Sequence, residues 1–210
     1  MSDIRIGKLV LSVCETNCYY VYREGGNECI VIDPADKGKY IYETLKNKGY
    51  EVKAILITHG HFDHIWGCGE LRELTEASVY ALDIEKDVLE NSELNSSAMV
   101  GRPCTVKADV YMHDMDVVDI MGFKIQVLAT SGHTQGSCCY YFVSENTLFS
   151  GDTLFLESVG RTDLPTGSMS ALSRSISSKL SSLPDETEVL PGHGDRTTIA
   201  HERDYNPFWK

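Results

Sequence analysis

The sequence predicts an α/β protein of the four-layer αββα kind, two mixed β-sheets packed face to face with helices outside. Three observations predict it. Strand-like runs followed by a helix-like run occur once in each half of the chain. Several of the strands, such as "CIVID" at 29–33 and "VKAILIT" at 52–58, are nearly continuous apolar runs that read as buried. No linker separates the halves, so a single domain over 1–210 is expected.

Each element has its own justification. Runs at 8–13, 17–23 and 29–33 are strands, with Gly25-Gly26-Asn27 turning between the second and third. Residues 37–50 have helical spacing through Tyr40, Ile41 and Leu45, and Gly49 stops them. The strand 52–58 ends at His59, and a helical stretch follows near 70–76. "SVYAL" at 78–82 is a strand, and 83–90 is a short helix with Asp83 as its expected N-cap. Residues 91–116 show no period and are expected to form a surface excursion. Strands resume at 117–119, 122–130, 137–143 and 147–150. Alternation in the third of these should bury one of Tyr140 and Tyr141 and turn the other outward. Met169, Leu172, Ile176, Leu180 and Leu183 mark one face of a helix. "TEVLPGHG" is a last strand running into a loop, and a final helix covers about 197–205.

Bulk properties narrow the class. Hydrophobic content of 42% with 24% charged residues is ordinary for a soluble globular protein. A net charge of -12 argues against a nucleic-acid partner, which needs a basic face to displace counterions. No apolar run reaches membrane-span length, and "KLVLSV" is too short for a signal-peptide core, so neither a membrane partner nor export is expected and the default location is cytoplasmic. Seven cysteines, an odd number without zinc-finger spacing, read as reduced thiols, most of them small core residues.

The histidines are the informative residues. Of seven in the chain, three fall in "THGHFDH" at 58–64 together with Asp63. At that frequency the pattern arises by accident in roughly one chain in a thousand. In an extended segment His59 and His61 aim to the same side, and Asp63 and His64 follow after a turn. Imidazole plus carboxylate suits zinc, iron or manganese rather than calcium. His133 in "SGHTQGS", Asp152 in "SGDTLF" and His193 in "PGHGD" each stand just past a strand and beside glycine. His113 and His201 lack such a context and are expected at the surface. Asp33 in "VIDPAD" is either a loop cap or a partner that orients a histidine. Arg161 either meets an anionic substrate, shapes the loop beside Asp152 or pairs with Asp163.

In this order along the chain, "THGHFDH", "GHTQGS", "GDTLF" and "PGHG" resemble the metallo-β-lactamase superfamily in its hydrolase form. "LFLESVGRTDLPTGS" and the tail from "PGHG" resemble short relatives of hydroxyacylglutathione hydrolase, or glyoxalase II. The resemblance implies two divalent metal ions, most simply zinc, with iron or manganese as alternatives. His59, His61 and His133 would hold one and Asp63, His64 and His193 the other, with Asp152 between them. It implies a small-molecule substrate, a thioester, attacked by a hydroxide shared between the metals. Asp63 and Asp152 would also fix that hydroxide. Where the best-known β-lactamases carry a cysteine, this chain has Asp152. The separate C-terminal helical domain that gives full-length glyoxalase II much of its glutathione contact is expected to be missing. The alternative is a persulfide dioxygenase of the same superfamily, which holds one iron on residues matching His59, His133 and Asp152 and carries a segment like "GRTD" at 160–163.

Overall fold

The computed structural model describes residues 4–209. The first sheet takes β1 (Ile4–Leu11), β2 (Thr16–Arg23), β3 (Glu28–Ile32), β4 (Glu51–Leu56), β5 (Ser78–Leu82) and β6 (Val110–Met112) in that spatial order. β1 to β3 run antiparallel, and β3 to β6 run parallel. Parallel neighbours need crossovers. These carry α1 (Gly38–Asn47), α2 (Phe62–Ile65), α3 (Cys68–Thr75) and α4 (Lys86–Leu89).

The second sheet begins with β7 (Val117–Ile120), β8 (Phe123–Ala129), β9 (Cys138–Phe142) and β10 (Thr147–Gly151). A two-stranded hairpin, β11 (Leu154–Phe155) and β12 (Ser158–Val159), stands apart from it. Then come α5 (Met169–Ser175), β13 (Glu188–Pro191), β14 (Thr197–Thr198) and α6 (Ile199–Tyr205). Its spatial order is β14-β13-β10-β9-β8-β7, with one parallel pair, β10 and β13.

The expected αββα sandwich of two mixed sheets is the observed fold. Three apolar layers hold it together. Ile41, Leu45 and Leu71 from α1 and α3 pack with Cys29, Val31, Ile55 and Ile57 on the outer face of the first sheet. Ile30, Ile32, Leu56, Phe123, Tyr140, Phe142 and Phe149 fill the space between the sheets. Leu172, Ile176 and Leu180 cover Cys139, Tyr141 and Leu148 on the outer face of the second.

This layering corrects one expectation. Tyr140 and Tyr141 do alternate, but both are buried, because α5 covers the face to which Tyr141 turns. Other elements also differ from the sequence reading. The first strand runs over 4–11 rather than 8–13, because the chain turns at Ser12 and Glu15 with positive φ. Asp83 is not an N-cap. It is the first residue of a short turn, and its carboxylate accepts from the neighbouring Ile84 amide. Residues 91–116 are more than a surface excursion. Asn95, Ser96 and Ser97 are buried, and 110–112 form an edge strand. The helix begun at Met169 widens over Ile176–Leu180, where the Ser181 amide reaches back five residues to the Ile176 carbonyl. Three short strands, β11, β12 and β14, were too brief to leave a pattern.

Five of the seven cysteines are buried, Cys104 is half-buried and Cys14 is exposed, and all are free thiols. His113 lies at the surface against Asp83, and His201 on α6 pairs with Glu157. No helix among the described residues is long and apolar enough to cross a membrane.

Candidate metal centre

Topology puts the chemistry at one edge. β8 is antiparallel to β9, and β9 to β10, so β8, β10 and β13 all point the same way. Their C-terminal ends therefore deliver His133, Asp152 and His193 to one side of the second sheet. β4 delivers His59, His61, Asp63 and His64 from the first sheet. The two sheets are tied at this edge, where the Cys138 amide donates to the Thr58 carbonyl at 2.9 Å and the Asn17 amide to the Gly192 carbonyl at 2.7 Å. All seven residues singled out in the sequence come together here.

His59, His61 and His133 form one group. His61 is extended, so it turns to the same point as His59 before α2 begins. His61 Nδ1 lies 2.7 Å from His133 Nε2, which lies 3.1 Å from His59 Nε2. Asp63, His64 and His193 form a second group. The first turn of α2 carries Asp63 and His64 round to it, the His64 amide donating to the His61 carbonyl. Asp152 stands between the groups. Its Oδ2 is 3.4 Å from both His133 Nε2 and His193 Nε2, and its Oδ1 is 3.4 Å from His64 Nε2. Such convergence tolerates no added bulk. A Cβ on Gly192 would fall 2.2 Å from Asp152 Oδ1 and 2.7 Å from the His64 ring.

The two groups carry charge differently. Burial drives His59 well below the usual imidazole range, and the neighbouring His64 and His133 add to it. Burial likewise takes His61 down to about 3 and lowers His133. In the second group burial opposes charge but is outweighed. Asp152, Asp63 and Asp33 hold His64 well above its ordinary value. Hydrogen bonds to Asp152 and Asp63 raise His193 to about 9. Against its own burial, Asp63 is drawn down to about 2 by His64, His193 and Thr16, and Asp152 falls well below the carboxylate range beside His64 and His193.

Other residues fix these side chains. Asp33 is buried, and its carboxylate accepts from the Thr58 amide at 2.8 Å, Thr58 Oγ1 at 2.6 Å and His64 Nδ1 at 2.9 Å. Of its two readings, the orienting role holds. Arg161 forks onto Asp163 at 2.7 Å twice, while its backbone carbonyl accepts from His133 Nδ1 at 2.7 Å. It thus pairs with Asp163 and shapes the loop at once. Three residues were not anticipated. Thr16 Oγ1 donates to Asp63 at 2.8 Å, Thr58 Oγ1 lies 3.1 Å from His59 Nδ1, and Glu85 accepts from the Gly60 amide at 2.7 Å. Thr58 adjoins the histidine motif and was within reach of a reading of neighbours. Thr16 and Glu85 lie 47 and 25 positions from their partners, and nothing local marks them.

The donors suit a metal on two observations. Three imidazole nitrogens facing one another cannot all be satisfied by each other's protons, whereas a cation meets three lone pairs at once. Asp152 Oδ1 is buried with no close hydrogen bond, only the His64 ring nitrogen at 3.4 Å, an arrangement that a metal ion would complete. A cavity of about 410 Å³ opens beside these groups, walled by Phe62, Phe155, Val159 and Leu164, with Cys14 and Arg161 at its edge.

This fold and this cluster define a class of metal-binding hydrolases. Residues 11–193 match the metallo-beta-lactamase superfamily, and the chain belongs to it. Among curated relatives, a probable metallo-hydrolase, YqgX, of Bacillus subtilis (strain 168) is 39% identical over 92% of each chain. The hydroxyacylglutathione hydrolase GloC of Haemophilus influenzae (strain ATCC 51907 / DSM 11121 / KW20 / Rd) is 28% identical, again over 92% of each. Among solved structures, the BLEG-1 B3 metallo-beta-lactamase superposes with a TM-score of 0.92 at 38% identity, covering 98% of this chain and 99% of that one. TTHA1623 in a di-iron-bound form gives 0.83 at 33%, covering 96% and 99%.

Proposed function

We propose that this protein is a metal-dependent thioester hydrolase of the hydroxyacylglutathione hydrolase type. The observation that carries the reading is Asp152, a buried carboxylate standing 3.4 Å from histidines of both donor groups, at the floor of an apolar-walled cavity. His59, His61 and His133 would hold one divalent ion, Asp63, His64 and His193 a second, and Asp152 both. Zinc fits three imidazoles and a carboxylate, and iron or manganese fit the same donors. The similarity to a di-iron protein keeps iron in play.

When bound, such a pair supplies a hydroxide near neutral pH and polarises a carbonyl. The chain's residues do the rest. Asp63 and Asp152 are held ionised, so they accept hydrogen bonds that can hold and aim a nucleophile. Thr16 steadies Asp63, and Asp33 fixes the tautomer of His64 through its Nδ1. Phe62, Phe155, Val159 and Leu164 give the cavity an apolar wall suited to an acyl group. A thiol ionises near pH 8.5, far below an alcohol, so a thiolate departs without a dedicated general acid.

Metal analysis of the purified protein followed by three assays tests this. Hydrolysis of S-D-lactoylglutathione or a simple acyl thioester is expected, with two metals per chain. Oxygen uptake with glutathione persulfide and one iron per chain would replace the reading with the dioxygenase alternative, with which the "GRTD" segment is equally compatible. Hydrolysis of a β-lactam with thioesters untouched would also overturn it.

A further inference from the structure

The turn before α4 holds a carboxylate for which the chemistry above has no use. Glu85 is 1% exposed. Its Oε1 accepts from the Gly60 amide at 2.7 Å, its Oε2 from the Gly136 amide at 2.8 Å, and Thr134 Oγ1 sits 2.9 Å from both oxygens. Gly60 lies between His59 and His61. Thr134 follows His133. One side chain from a third segment therefore grips the backbone of both loops that present the all-histidine group. The grip is close-packed as well as polar. A Cβ on Gly136 would fall 2.3 Å from the Glu85 amide nitrogen.

We infer that Glu85 is a positioning residue that sets the separation of His59 and His61 from His133, and so the metal affinity of that group. Among the described residues the Gly60 and Gly136 amides have no second acceptor, and Thr134 Oγ1 otherwise meets Ser137 Oγ at 2.7 Å. Removing the acceptors would leave two buried amides unsatisfied, and loops free to part by tenths of an ångström relieve that cost most cheaply. Changes of this kind beside a metal ligand lower affinity by about 10- to 100-fold. The inference rests on the proposed metal centre but not on its substrate.

Glu85→Gln keeps the shape and turns one acceptor into a donor facing an amide. Its control is Glu202→Gln, an equally buried carboxylate on α6 that accepts from Thr197, Asn206 and the Glu157 amide. Zinc affinity would be measured by competition with a chelator, and the absorption spectrum recorded with cobalt in place of zinc. Glu85→Gln should weaken the tighter or looser of two binding steps by about 10- to 100-fold and change the cobalt spectrum. Glu202→Gln should lower the melting temperature and leave both readouts alone. Should Glu85→Gln not fold, Thr134→Val removes one donor and is expected to shift both readouts less, in the same direction. Equal effects from the Glu85 and Glu202 variants, or unchanged affinity and spectrum at position 85, would overturn the inference. A wild-type chain that takes up no metal would instead sink the centre itself.

Discussion

The two donor groups lie against one another, yet they meet the same problem in opposite ways. His59, His61 and His133 are kept neutral by burial. His64 and His193 are kept charged by the carboxylates of Asp33, Asp63 and Asp152. The first group is ready for a cation as it stands. The second is already internally neutralised and must release protons before it can ligate. Both states follow from where carboxylates sit. Among the described residues the first group is paired at close range with Asp152 alone, Asp63 acting on it from further off, whereas the second is paired with Asp33, Asp63 and Asp152.

Removing the shared member is the largest way to break that comparison. Asp152→Ala should lower kcat/KM for the thioester by about 10³-fold or more, since the ligand to both ions and the hydrogen-bond acceptor for the nucleophile go together. Metal content should fall with it. A variant retaining near wild-type turnover would end the proposed site.

Single removals should separate the groups. His61→Ala is expected to empty the first site and His193→Ala the second, each leaving about one metal per chain by elemental analysis. Loss of both metals in either variant would show the groups to be inseparable.

Acid should separate them too. In the metal-free chain, charge on His193 stabilises the fold fully below its ordinary value of 6.5, and this is lost as pH rises through about 9. His61 has the opposite sign, its contribution present above 6.5 and lost as pH falls toward about 3. On acidification the metal at Asp63, His64 and His193 should therefore leave first. Dialysis across a pH series, followed by metal counting, checks the order, and simultaneous loss would contradict the charge difference.

A smaller effect probes the support of the second group. Asp33→Asn should weaken metal binding there by about 10- to 100-fold and leave the first group nearly unchanged, as read by two-step metal titration. The least effect is expected at a thiol. Cys138→Ser changes a buried side chain whose thiol meets the Ile57 carbonyl and none of the donors, so turnover should stay within about twofold while stability drops by about 1 kcal/mol. Lost activity in a folded Cys138→Ser protein would point to thiol chemistry.

Most of this was legible along the chain because its signals are local. A strand covered on both faces is apolar where it is covered, as at 29–32 in β3 and 54–56 in β4, and helix α1 shows its period in Ile41 and Leu45. The histidines sit where strands end, and glycine beside them marks sharp turns. Short elements such as β14 lack the length to show a period. The burial of Tyr141 depends on Leu172 and the helix that carries it, far along the chain, which no neighbour in sequence announces.

By itself the sequence determined the type of donor, its order and its place at strand ends, because ligand chemistry and strand periodicity are properties of single residues and their near neighbours. The tertiary structure alone decided which histidines are neutral and which are charged. It also decided that Thr16 bonds to Asp63 and that Glu85 bonds to the Gly60 and Gly136 amides. Electrostatic energy and hydrogen bonding depend on distance in space, and β-sheet pairing brings together groups that the chain keeps far apart.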